Sequence, residues 1–388
     1  MSSPGTGGVE ADATGDLGRL LERRRICICV GPGGVGKTTT AAAIGLELAA
    51  GGRKVALITI DPARRLAGTL GLDELDNEPR LVDRRRLAAG GVDCRGELWA
   101  MMLDPKQTFD ELVARLAPDA RAREEVLGNR IYRELSSAVA GSQEFTAIAK
   151  LYELDREGEY EAIVLDTPPS RNALDFIQAP ANLTNFLEGR ALGALLAPTS
   201  LASRIVGRGT GAIFGILRRL TGIDLLGEVG DFFGALSGML EGFGERAAGV
   251  AGLLRDPGTA VVLVSSAEGR PIDESIAFAR ELDRAGMRLT GVVVNRMHLD
   301  GGDASDPERV EAALAERLGG RLAGRVAANL RDFQVLAERD RAGAQRLGRE
   351  LGDPPIVYVP GLGGEVDEIA GLARVGSYLF GAAAGGRG

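Results

Sequence analysis

With 388 residues, 45% of them hydrophobic, and a formal net charge of −8, the chain can bury one large core or two modest ones. The acidic balance excludes a nucleic-acid surface spread over the whole molecule, and no uninterrupted apolar run reaches bilayer-spanning length. Three cysteines and one histidine, His298, offer neither a disulfide framework nor a structural zinc site, so a cytoplasmic globular protein is the expectation.

Residues 1–24 are expected to form a disordered tail, because residues 1–16 are glycine-rich and acidic and lack the features of a signal or transit peptide. One domain is expected over 25–388. It starts with Ile26-Cys-Ile-Cys-Val30, a buried strand in which Cys27 and Cys29 read as small core hydrophobes. An alanine-rich helix is predicted over 38–50. Between the two lies Gly31-Pro-Gly-Gly-Val-Gly-Lys-Thr-Thr39, which matches the phosphate-cradling pattern G-x-x-x-x-G-K-[ST].

That pattern has a physical reason. Glycines let consecutive backbone N–H groups close on phosphate oxygens, and the following helix adds its positive end. A lysine at position 37 reaches the β- and γ-phosphates, and a hydroxyl at 38 coordinates Mg²⁺. The candidate nucleotide contacts are therefore Gly31, Pro32, Gly33, Gly34, Val35, Gly36, Lys37, Thr38 and Thr39, with ATP and Mg²⁺ as cofactors.

Further strands are predicted at 55–60, 98–103, 162–165, 261–265, 291–294 and 356–359, alternating with helices. The helix over 272–285 stops at Gly286 just before one of them. The fold class is thus α/β, a mostly parallel central sheet flanked by helices. Residues of about 105–155 and 175–255 lack strand character and read as an inserted helical layer.

Ligands of open α/β sheets sit at the carboxyl ends of strands, and three predicted ends carry chemistry. They are Asp61-Pro-Ala-Arg-Arg65, Asp166-Thr-Pro-Pro-Ser170 and Asn295. Asp166 follows an apolar run, as a carboxylate that holds Mg²⁺ or its water does, and the Asn295 amide suits a purine edge. Aspartate and asparagine also serve as turns and caps, and Arg64 and Arg65 equally suit a solvated surface.

In the helical layer Gly207, Gly211 and Gly215, then Gly230, Gly234, Gly238 and Gly242, recur every four residues. On a helix they line a stripe that admits close packing. Val229, Phe232, Phe233, Leu236, Met239, Leu240, Phe243, Val250 and Leu254 form an amphipathic face, which suits a hydrophobic client or packing within the layer. Arg204, Arg208, Arg218 and Arg219 flank apolar residues in a pattern that also suits peripheral membrane contact.

Together these residues resemble the arsenite-pump and tail-anchored-protein-targeting ATPases of the deviant P-loop class. The resemblance runs from about Arg25 onward. It rests on residues 33–39, Asp61-Pro-Ala, Asp166-Thr-x-Pro-Ser, Ala267-Glu-x-x-Pro-x-x-Glu274, Val294-Asn295 and Val359-Pro360. It implies a P-loop NTPase fold and a dimer that closes over ATP. It also implies that Asp61 orients or activates the attacking water, that Asn295 and Pro360 lie beside the adenine, and that the helical layer forms a groove for a client's membrane helix.

Two departures qualify the resemblance. Pro32 stands where the family has a lysine that reaches the partner's ATP, and Arg171-Asn172 replaces a glycine and a histidine. With only four lysines in the chain, an arginine is the better substitute. Arg171 either disables the γ-phosphate switch or senses that phosphate through charge. The isolated Cys94 disfavours arsenite export. The reading is an ATP-hydrolysing switch, a homodimer or a heterodimer with a lysine-bearing paralogue, that handles a hydrophobic or protein partner and no nucleic acid. The alternative is a weakly hydrolysing regulatory subunit.

Overall fold

This computed structural model describes residues 14–60, 65–129, 132, 143–168, 239–298, 306–362 and 366–381. In chain order they form α1 (Thr14–Glu22), β1 (Ile26–Val30), α2 (Lys37–Ala50), β2 (Lys54–Thr59), α3 (Arg65–Leu70), β3 (Arg80–Leu81) and α4 (Arg84–Ala89). There follow β4 (Glu97–Met102), α5 (Pro105–Leu116), α6 (Ala120–Gly128), α7 (Gln143–Glu157), β5 (Ala162–Asp166) and α8 (Leu240–Arg255). The chain continues through β6 (Thr259–Ser266), α9 (Gly269–Arg284), β7 (Leu289–Met297), α10 (Pro307–Leu318), α11 (Gly320–Glu350), β8 (Ile356–Pro360) and α12 (Ile369–Phe380).

The strands make one sheet in the order β3-β4-β2-β5-β1-β6-β7-β8. Pairs β2–β5, β5–β1, β1–β6, β6–β7 and β7–β8 are parallel, and the two-residue β3 runs antiparallel to β4. Helices cover both faces of a parallel sheet, so its strands read as unbroken apolar runs, and β1 and β5 are buried at every residue. All seven predicted strands are present. β3 is short and exposed and carries no apolar pattern to announce it.

The chain divides into two compact units, one of residues 1–101, 159–173 and 257–388, the other of 102–158 and 174–256. The sheet belongs to the first. In the second, Asp104 and Asp119 cap α5 and α6 by accepting backbone N–H groups. Val113, Ile148, Leu151 and Val250 form its apolar centre. A Cβ on Gly249 would lie 2.5 Å from Cζ of Tyr152, so glycine is what lets α8 approach α7. Of the glycine stripe only Gly242 falls among the described residues, where it faces Leu116. The positions from 207 to 238 and the arginine-flanked stretch 204–219 lie outside them. Among the described residues no helix is long and apolar enough to cross a membrane.

The expectation of a disordered segment through residue 24 is corrected over Thr14–Glu22, which is helical. Leu17 and Leu21, four residues apart on one face of α1, are buried. Leu17 packs over Gly291 at the start of β7, and Gly18 lets Phe380 of α12 come so close that a Cβ would sit 2.6 Å from its Cα. Residues 306–350 carry no sequence expectation, because the buried face of the 31-residue α11 is mostly alanine, at Ala323, Ala327, Ala337 and Ala344.

If α1 is part of the core, Leu17→Ala removes well-packed methyl groups and lowers the unfolding free energy by roughly 2–4 kcal/mol in a urea titration. A midpoint equal to that of the parent chain would make α1 an appendage.

Candidate functional site

β1 lies between β5 and β6, with Cys29 level with Asp166 and Val30 level with Leu263. The loop that leaves β1 therefore emerges between two strand ends. Gly31, Gly34 and Gly36 have φ of 142°, 78° and 100°, conformations in which a side chain is strained. Space agrees with backbone, since a Cβ on Gly31 would lie 2.1 Å from the Val264 carbonyl oxygen and one on Gly36 would lie 2.2 Å from Nδ2 of Asn295. The loop is a cradle that only glycine can form.

α2 starts at once. Its N-cap, Gly36, makes no side-chain hydrogen bond, and its first turn holds no acidic residue, so no side chain competes with an anion at this positive helix end. Lys37 is buried and its Nζ donates to the Pro32 carbonyl at 2.9 Å, which folds the ammonium back over the loop. Thr39 lies half-buried one residue beyond Thr38 on the same turn.

Asp166 ends β5 fully buried, and two hydroxyls converge on one of its oxygens. Thr38 Oγ1 donates to Oδ2 at 2.7 Å and Thr59 Oγ1 at 2.8 Å. Next along the chain, Thr167 Oγ1 donates to the Cys29 carbonyl at 2.7 Å and ties the end of β5 to β1. A hydroxyl and a carboxylate are hard oxygen donors of the kind Mg²⁺ takes while keeping waters and phosphate oxygens as its remaining ligands. Thr38 and Asp166 therefore fit that ion. A hydrogen bond with Cys27, then burial, push the Cys29 thiol up, so it stays neutral beside them.

A second cluster forms where β7 ends. Asn295 Nδ2 donates to the Val35 carbonyl at 2.9 Å, and Arg296 Nη1 to the Gly34 carbonyl at 3.1 Å. The His298 backbone N–H donates to Oδ2 of Asp340 at 3.0 Å, and its ring Nδ1 lies 2.7 Å from the same oxygen. Arg339 binds the other carboxylate oxygen through Nε and Nη2 at 3.1 and 2.8 Å. Arg296, His298, Arg339 and Asp340 line a cavity of about 150 Å³ beside the loop, together with Glu268 and Pro271. Burial alone would raise the Asp340 carboxyl, but hydrogen bonds from the His298 amide, Arg339 and the His298 ring hold it below the usual aspartate range.

Lys37, Thr38 and Asp166 thus come together as a group, with Asn295 gripping the loop from the side. Pro360 ends β8 level with Met297 of β7, at the same end of the sheet. Asp61, Arg64, Arg171 and Asn172, and the side chain of Arg65, lie outside the described residues. Sequence reasoning missed Thr59, a lone hydroxyl near the end of an apolar strand, and gave no role to Arg296, His298, Arg339 or Asp340.

The family model described as anion-transporting ATPase matches residues 24–317. ATPase get3 of Aspergillus terreus is 33% identical to the chain over 160 residues, 40% of this chain and 43% of that protein. ATPase get3 of Neurospora crassa is 32% identical over 173 residues, 44% and 48% respectively. The chain therefore matches less than half the length of these two curated relatives.

Because the Asp340 carboxyl is depressed, its contribution to stability is complete above the ordinary aspartate value of about 4 and is lost as pH falls through the lower, folded value. Thermal midpoints measured against pH should fall steeply in that acid window for the parent chain. Asp340→Asn should be less stable at neutral pH and flatter below about pH 4. Parallel curves would contradict the assignment.

Proposed function

Because the chain belongs to the anion-transporting ATPase family, we propose that it binds MgATP on the 31–39 loop and hydrolyses it to ADP and phosphate, as a dimeric switch whose helical unit handles a hydrophobic or protein partner. The observation that carries this reading is the 2.7 Å contact between the Thr38 hydroxyl and the Asp166 carboxylate, set beside a loop that only glycine can form.

The residues divide the work. Backbone N–H groups of the loop and of the first turn of α2 hold phosphate oxygens, and Lys37 exchanges the Pro32 carbonyl for the β- and γ-phosphates. Mg²⁺ held by Thr38 and Asp166 supplies charge neutralisation on the phosphates. Asp61 takes the proton of the attacking water, Arg171 answers the γ-phosphate through its charge, and Asn295 with Pro360 flanks the adenine.

Pro32 shapes the assembly. A subunit with proline there gives no cation to its neighbour but still receives one, so pairing with a lysine-bearing paralogue completes this chain's site, whereas a homodimer relies on an arginine. The amphipathic spacing through 229–254 supports an apolar client, and the basic stretch 204–219 supports peripheral membrane contact. Three free cysteines fit the cytoplasm.

Lys37→Ala is expected to abolish nucleotide-dependent behaviour. Asp61→Asn should keep nucleotide affinity and slow phosphate release by about 10²–10⁴-fold. An Asp61→Asn protein that turns over at the parent rate removes the role given to that carboxylate.

Pro32→Lys should accelerate a slow homomer by about 10³-fold or more, the usual worth of a transition-state cation. A fast homomer, indifferent both to Pro32→Lys and to Arg171→Ala, would refute the heterodimer and the arginine substitution together. Slow turnover even after mixing with a lysine-bearing family member would favour the regulatory subunit instead.

A further inference from the structure

In a regular strand consecutive side chains point to opposite faces, so Asn295 and Arg296 should not reach one target. They nonetheless take successive carbonyls of the same loop, Val35 and Gly34. The backbone explains how. Arg296 has φ of 58°, a left-handed conformation uncommon for a long side chain, and the pairing of β7 with β8 shifts register between Val294 and Met297. The Asn295 Oδ1 accepts the Arg296 N–H at 2.9 Å and closes the turn. Two residues later His298 is held by the buried Asp340 of α11. The turned segment is therefore fixed on one side to the loop and on the other to a long helix.

The effect of the double grip follows from peptide planarity. The carbonyl of Gly34 and the N–H of Val35 share one rigid plane and point in opposite directions, and so do the carbonyl of Val35 and the N–H of Gly36. Drawing both carbonyls toward β7 turns both N–H groups away from it, into the interior of the loop.

We propose that Arg296 is a positioning residue: its strained backbone lets the guanidinium act beside Asn295, hold the Gly34 carbonyl and preset the Val35 N–H for a phosphate oxygen. The inference rests on the reading of the loop as a nucleotide site. Arg296 acts through the loop rather than on the phosphates, by reducing the ordering that binding must otherwise impose.

Arg296→Gly removes the guanidinium yet accepts the left-handed backbone without strain, and Arg296→Lys retains a donor. Two measurements on the full chain test the idea, amide hydrogen exchange of residues 31–39 without nucleotide and calorimetric titration with MgADP. Arg296→Gly should speed exchange within 31–39 and weaken MgADP binding by about fivefold, the worth of one hydrogen bond. The melting temperature of the empty protein should be unchanged or higher. Arg296→Lys should recover most of the affinity.

A merely structural residue would give the reverse pattern, a lower melting temperature with exchange and affinity unmoved, and that result overturns the proposal. Unchanged exchange across 31–39 in Arg296→Gly overturns it as well. Faster loop exchange in a protein whose parent form binds no MgADP would uphold the grip on the loop and refute the nucleotide reading.

Discussion

Burying a carboxylate as deeply as Asp166 is costly, and in this fold the hydroxyls that meet its Oδ2 come from two other elements. Thr38 arrives on the first turn of α2 and Thr59 at the end of β2, while Asp166 itself ends β5. Three segments far apart in sequence are thereby pinned within hydrogen-bond distance of one oxygen. The pinning depends on register. Cys29 stands level with Asp166, and Thr59 stands level with it on the other side, so β5 presents its last residue between the loop that follows β1 and the segment that follows β2.

The loop is held from its other flank by different means. Gly31 lies so close to the Val264 carbonyl, and Gly36 to the Asn295 amide, that β6 and β7 mould the loop by exclusion as much as by attraction. Behind them α11 presents small residues. A Cβ on Gly343 would meet Cδ1 of Ile272 at 2.7 Å and the Ala267 carbonyl at 2.8 Å, so the helix comes near enough for Asp340 to capture His298. Close packing of alanine and glycine is what lets a helix reach the end of a strand with a side chain as short as aspartate.

The helical unit is built differently. Lys150 is almost wholly buried, with Glu153 at 2.8 Å and Glu111 at 3.7 Å, and Arg115 reaches Glu153 at 2.8 Å and Glu157 at 3.4 Å. Lys150 on α7 thus has one carboxylate from its own helix and one from α5, and removing both would leave a buried ammonium uncompensated. Tyr132 adds a link to α5 by donating its hydroxyl to Asp110 at 2.6 Å, and burial with that contact pushes its phenol up.

Sequence alone determined the features whose causes are local. The loop 31–39 was legible because its glycines are demanded by backbone angles within the loop, and the seven long strands because a sheet covered on both faces needs unbroken apolar runs. Thr38 and Asp166 were legible as separate ends of such elements. Only the tertiary structure decided that they touch, because strand order is set by packing across more than a hundred residues. It also decided that 14–22 is a helix, whose apolar stripe has meaning only against β7 and α12. The grip of Arg296 on the loop and of Asp340 on His298 left no local trace. One depends on a reversed backbone at a single residue, and the other joins positions 42 residues apart across a helix whose buried face is too small to stand out by hydrophobicity.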